Sequence, residues 1–327
     1  MPHFPAEFSP HSAVWIGFPS APDLWLDDLA PAQDQVAAFV RAVWSDGKGE
    51  TVHLVCASEE AADRARSLVG DCAVIDNIPF YDIWLRDTGP LVVRNGEGTL
   101  LAVDYRGNGW GGKYPSPIDD AVGEWLSSGM QLERNERTMI LEGGAIDVDG
   151  KGLLVTTEQC LLNANRNPLM SRKDIEDELE LELGATRILW LGEGLIGDHT
   201  DGHVDNLARF VAPGVLALPE PDGPDDPNAD IYADARARAR DFGVEIVPLP
   251  SPGRIEIDGE IIAASYMNFY IGNASVVVPV HGVPNDQAAV KAIAALFPDR
   301  KVVGLRTNHI LTGGGSFHCI SQQVPTS

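Results

Sequence analysis

Five times along 327 residues the same order recurs: a helix-forming stretch, a short strand rich in β-branched residues, then a polar cluster. The helical stretches read as 58–69, 117–128, 171–183, 229–242 and 284–297. Ser171, with Asp174 three residues on, marks the third start as a capping box. The strands that follow are CAVI, RTMIL, RILWL, VEIVPL and KVVGL. The clusters are WLRDTGP, EGGAIDV, DGHVDNLARF, SYMNFY and GGGSFHC, marked by Asp87, Glu142, His203, Asn268 and Cys319. A repeat of about 60 residues is the signature of radial or solenoid repetition, and ordinary β/α alternation is the alternative. Arranged around an axis, five such units would carry five unlike polar groups to one centre. The expectation is a single α/β domain over residues 1–327. SAVWIGFP (12–19) would close the ring beside the C-terminal strand.

The net charge of −24 argues against nucleic acid and anionic membrane surfaces, which both select a basic face. No apolar run approaches the ~20 residues a membrane-spanning helix needs. The opening MPHFPAEFSP lacks a basic segment followed by an apolar one, so a cytoplasmic location is expected. The sequence leaves a homo-oligomer open. Of the four cysteines, Cys56, Cys72 and Cys160 sit in or beside apolar runs, as buried thiols do. Cys319 differs: three glycines (313–315) precede it and His318, Ser321 and Gln322 surround it. The glycines let the backbone bend before it.

DHTDGHVDN (198–206) is the densest polar stretch. As a strand it would turn His199, Asp201, His203 and Asp205 to one face, a donor set suited to a metal. This supports a metallohydrolase as one alternative. WLRDTGP sets Asp87 between an arginine and a turn, and EGG sets Glu142 before two glycines. No phosphate-binding glycine loop is present. The loops 106–117 and 219–230 are rich in Gly, Pro and Asp, and the first carries Trp110. A thiol with a histidine suggests covalent catalysis. Carboxylates around the thiol oppose an oxyanion and suit a cationic electrophile; the planar, permanently charged guanidinium fits.

WLRDTGP, WGGKY, EGGAIDVDGKG, LNANRNP, TDGHVDNLARF, SYMNFYIGN and GGGSFHCISQQVP, in this order, resemble the agmatine deiminases of the guanidine-modifying (pentein) superfamily. Bacterial peptidyl-arginine deiminases share a subset of these stretches. The resemblance implies a five-bladed α/β propeller that hydrolyses agmatine to N-carbamoylputrescine and ammonia, with no metal or organic cofactor. It makes Cys319 the nucleophile, His203 the general acid/base, and Asp87 and Asp205 the guanidinium grip. Glu142 would orient His203, Asn268 would lie beside the reacting centre, and Gly314 and Gly315 would form the bend before the nucleophile. For the substrate tail, Trp84 and Trp110 are candidate walls, and Asp198 and Asp201 candidate partners of the amine. Gly107 replaces an aromatic residue of the family pattern, and His199 is unusual there. With Arg106 nearby, these changes keep arginine or peptidyl-arginine as alternative substrates. A ring-shaped binder of cations without turnover is the remaining alternative.

Overall fold

The computed structural model describes residues 2–326. The chain enters through β1 (His11–Gly17), crosses a helix at Leu29–Trp44 and returns as β2 (Thr51–Cys56), parallel to β1. A second helix, Glu59–Val69, leads to β3 (Val74–Asn77), parallel to β2. Parallel neighbours need such crossovers, and amphipathic helices supply them.

Three complete units follow, each an antiparallel strand pair, then a helix, then a strand parallel to the second of the pair. The first is β4 (Leu91–Arg94), β5 (Leu100–Arg106), helix Val122–Gly129 and β6 (Glu133–Ile140). The second is β7 (Ile146–Val148), β8 (Leu153–Thr157), helix Arg172–Leu183 and β9 (Arg187–Leu191). The third is β10 (Arg209–Ala212), β11 (Val215–Glu220), helix Ala229–Phe242 and β12 (Glu245–Pro250). A small ribbon, β13 (Glu256–Ile257) and β14 (Glu260–Ile261), precedes the fourth unit. That unit is β15 (Tyr270–Ile271), β16 (Ser275–Val280), helix Asp286–Leu296 and β17 (Lys301–Arg306).

The fifth unit is assembled from both ends of the chain. β18 (Ser321–Pro325) pairs antiparallel with β1, giving the order β18-β1-β2-β3. The closure expected of SAVWIGFP is therefore present, and with it the chain forms five α/β units. Val14, Trp15 and Ile16 of β1 are fully or almost fully buried, each such side chain contributing about 1.5–3 kcal/mol.

Four of the five expected helices lie where the sequence set them, and the capping box of Ser171 and Asp174 is formed. The helix expected at 117–128 starts later, as a single 3-10 turn at Asp119–Ala121 leading into Val122–Gly129. Pro115 and Pro117 hold the preceding residues out of helical geometry. The repeat expected around the helix at 58–69 needs a larger correction. The crossover of the closing unit is Leu29–Trp44, so that helix and the strand after it add a fourth, edge strand to the closing sheet. Among the described residues no helix is long and apolar enough to cross a membrane.

Candidate active site

Each connection from the last strand of one sheet to the first strand of the next delivers one of the marked groups. Asp87 lies between β3 and β4, Glu142 between β6 and β7, His203 between β9 and β10. Asn268 precedes β15 and Cys319 precedes β18. All five are buried, as is Asp205.

Cys319 Sγ lies 3.1 Å from Asn268 Nδ2 and 3.6 Å from Asp205 Oδ2. Asn268 is fixed by its other end, where Oδ1 accepts from the backbone N–H groups of His318 (3.1 Å) and Cys319 (3.3 Å). Burial pushes the Cys319 thiol well up, and the carboxylates of Asp205 and Asp87 push it further. Without substrate the sulfur therefore holds its proton. Asp87 accepts from Trp110 Nε1 and from the Gly144 N–H, both at 2.9 Å. Burial raises its carboxyl, with His203 opposing.

His203 Nδ1 is 3.7 Å from Asp87 Oδ1 and its Nε2 is 4.0 Å from Glu142 Oε2. Burial alone would lower the imidazole's proton affinity, but the carboxylates of Asp87 and Glu142 offset it and hold the ring well above its ordinary value. His203 is thus an imidazolium at neutral pH, a proton donor in waiting. Glu142 is held from behind by Arg166, whose Nε donates to Oε1 at 2.8 Å.

Three residues that the sequence left without a role shape this centre. His318 places Nδ1 at 2.8 Å from Asp205 Oδ2 and Nε2 at 2.8 Å from Glu7 Oε2. Burial works against the charge on Asp205, yet His318 keeps its carboxyl below the ordinary value. Asp205 Oδ1 is buried with no partner, leaving an open acceptor. Glu7 in turn meets Arg86 (3.3 Å) and Arg209 (3.0 Å), so no member of this buried charge set stands alone. Gly144 is the third. A Cβ there would come within 2.6 Å of His203 Nδ1, 3.0 Å of Asp87 Oδ1 and 3.1 Å of Asp205 Oδ2.

A cavity of about 520 Å³ opens from Cys319 and Asp87 to the surface. Trp25, Trp84, Trp110 and Tyr114 wall it. Trp84 packs on the glycine bend: a Cβ on Gly315 would meet its ring at 2.5 Å and Cys319 Cβ at 3.0 Å. Gly314, at φ +102°, takes a conformation that disfavours any other residue. Trp84 Nε1 donates to Asp82 Oδ2 at 2.6 Å, and burial pushes the Asp82 carboxyl up to about 7. Asp27, Asp28 and Asp119 complete the acids beyond Asp87, and no Lys or Arg lines the cavity.

The tail acids expected from the sequence are elsewhere. Asp201 is taken by Lys113 (2.7 Å), Arg166 (2.7 Å) and Asn165 (2.9 Å), which bring its carboxyl down to about 2. Asp198 Oδ1 accepts from the Thr200 N–H at 2.8 Å, closing its own turn. Neither lines the cavity. The single face proposed for His199, Asp201, His203 and Asp205 is not formed, because the stretch folds as turns and a 3-10 segment at Val204–Asn206, with Asp201 at φ +65°. His199 faces Tyr114 at the rim (3.5 Å) while His203 lies in the interior. Trp84 and Trp110 line the cavity, whereas Arg106 is exposed outside it.

The sequence model of the Porphyromonas-type peptidyl-arginine deiminase family matches residues 3–325. An agmatine deiminase of Stutzerimonas stutzeri is 39% identical over 360 aligned positions, covering 99% of this chain and 95% of that protein. Among solved structures, the agmatine deiminase of Enterococcus faecalis superposes with a TM-score of 0.92 at 32% identity, covering 99% of this chain and 96% of that one. The C. jejuni agmatine deiminase with substrate bound, in a Cys-to-Ser form, gives 0.91 at 26% identity, covering 100% and 97%.

Proposed function

Because the chain belongs to the Porphyromonas-type peptidyl-arginine deiminase family, we infer that its buried thiol acts on a guanidine, and that this guanidine is agmatine. One observation carries the choice of substrate: the cavity that reaches Cys319 holds five aspartates and no Lys or Arg. Agmatine bears a cation at each end and no carboxylate. Arginine would need a basic partner for its carboxylate, and Arg106 lies outside the cavity. In this reading residues 1–327 work as one domain, with the site on the axis of five repeats.

Asp87 and the free oxygen of Asp205 hold the guanidinium edge-on through paired, charge-assisted hydrogen bonds. The cation beside Cys319 offsets the carboxylates that keep the thiol protonated, so as substrate enters the thiol gives its proton to solvent and the thiolate forms. Its sulfur bonds to the central carbon and gives a tetrahedral adduct. His203 donates its proton to one terminal nitrogen, the C–N bond breaks, and ammonia leaves from a thiouronium bound to the enzyme. Neutral His203 then takes a proton from water and the oxygen adds to the carbon; the C–S bond breaks as the new hydroxyl gives its proton to solvent, and N-carbamoylputrescine departs with the thiolate restored. Glu142, anchored by Arg166, keeps the imidazole aligned through both transfers. Asn268 steadies the sulfur.

The tail amine falls to the acids that line the cavity, with Asp82 beside the Trp84 wall as the chief partner. Since Asp82 titrates at about 7, its carboxylate form grows as pH rises through neutrality. The KM for agmatine should therefore fall between about pH 6 and pH 8. Asp82→Asn keeps an acceptor for the Trp84 indole, loses the charge, and should raise KM roughly tenfold with a flat pH profile. Initial rates over that range check both points. The overall function is tested by colorimetric detection of the ureido group with agmatine, arginine and a peptide ending in arginine. Product from agmatine alone is expected; equal turnover of arginine would reject the substrate assignment, and no product from any of the three would reject the activity.

A further inference from the structure

Cys160 has no part in the chemistry above, yet its sulfur lies in the interior beside two groups that do. Ligand atoms of Cys160, His203 and Glu142 all lie within 4.8 Å of one another, and the three residues are buried. They arrive from different connections: Glu142 after β6, Cys160 from the short helix after β8, and His203 after β9. His203 Nε2 and Glu142 Oε2 are both buried and both lack a hydrogen-bond partner. Buried polar atoms are rarely left unpaired, because each forfeits its hydration without replacement. Arg166 occupies only Oε1 of Glu142, which leaves Oε2 turned toward the imidazole. A thiol, an imidazole and a carboxylate are the donor types that zinc-class cations select.

We propose that Glu142, Cys160 and His203 bind a thiophilic divalent cation of the zinc class, and that its binding switches the enzyme off. The cation bonds to Cys160 Sγ, His203 Nε2 and Glu142 Oε2, and the protons on the thiol and the imidazole pass to solvent. His203 then has no proton to give the leaving nitrogen. This set shares only His203 with the one that alternation along 198–206 suggested, because the tertiary fold chooses the partners. Binding rests on the geometry alone; loss of turnover rests in addition on the role assigned to His203, and the two are measured separately.

Cobalt(II) is the probe for binding, since a thiolate–cobalt bond gives a near-ultraviolet charge-transfer band. The full-length wild-type chain and the inactive Cys319→Ser variant should both show the band, and Cys160→Ala should lack it. Zinc chloride should inhibit agmatine turnover reversibly by chelator. In Cys160→Ala, with uninhibited turnover close to wild type, the zinc concentration for half inhibition should rise roughly 100-fold. Cys160→Ser, closer in size to the native residue, gives the same comparison where alanine impairs folding. A band that disappears with Cys319 and persists without Cys160 would overturn the site, as would zinc inhibition unchanged in both Cys160 variants. A wild-type chain with neither band nor inhibition would overturn it as well.

Discussion

Cys319→Ala will release no measurable ureido product from agmatine, a loss in kcat on the order of 10⁶-fold by analogy with removal of other covalent nucleophiles. The expectation follows from the geometry around one atom. The Cys319 sulfur is the group held within 3.1 Å of Asn268 and 3.6 Å of Asp205, at the inner end of the cavity. Among the described residues lining the cavity, Cys319 carries the one thiol. The thiol of Cys160 lies beside His203 and does not line the cavity. The variant keeps Asp87 and Asp205, so calorimetry should still detect agmatine binding while the colorimetric assay stays blank. Binding without turnover separates a missing reactant from a damaged fold. Residual turnover within tenfold of wild type would place the chemistry on another group.

Gly144→Ala should cost about 10²- to 10³-fold in kcat while leaving the fold intact. Gly144 is not among the residues with positive φ, so alanine meets no backbone penalty there. The added methyl acts by contact alone, at 2.6 Å from His203 Nδ1 and 3.0 Å from Asp87 Oδ1. These are side chains, so they yield, and in yielding they lose the alignment that proton transfer and guanidinium binding need. A 1 Å displacement is enough for a loss of this size. Gly129→Ala is the control, since a Cβ there meets nothing within 4 Å and activity should be unchanged. Thermal unfolding of the two variants against wild type, alongside their rates, makes the comparison. A fully active Gly144→Ala chain would mean that the three groups do not meet as described.

Much of this arrangement could be read before any coordinates. The clusters that follow β-branched runs announce themselves, because a polar residue at the end of a buried strand has to find a partner or a task. Asp87, Glu142, His203, Asn268 and Cys319 were legible in that way, and so was the pairing of β1 with β18. The helix at Leu29–Trp44 was legible too, since Val36, Phe39, Val40 and Val43 recur at helical spacing. A repeat anchored on polar clusters passes over it, because none closes that segment. The common face expected of His199, Asp201, His203 and Asp205 does not form because alternation along 198–206 assumes an extended chain. Gly197 and Gly202, both at positive φ, turn it instead. Gly144, His318, Cys160 and Asp82 matter through what other loops bring to them, and no local pattern carries that information.

The rim of the cavity and its inner end come from different stretches of chain. Leu24, Leu26 and Tyr114 line the cavity where it is exposed, and their stretches carry none of the reacting groups. Asp82 and Trp84 share the β3–β4 connection with Asp87, so it is this outer wall that is written apart from the chemistry. Mutation can edit the entrance toward other guanidines, one aspartate or aromatic at a time, while the reacting atoms stay where they are. A lineage built on this scaffold is free to change its diet without relearning its chemistry.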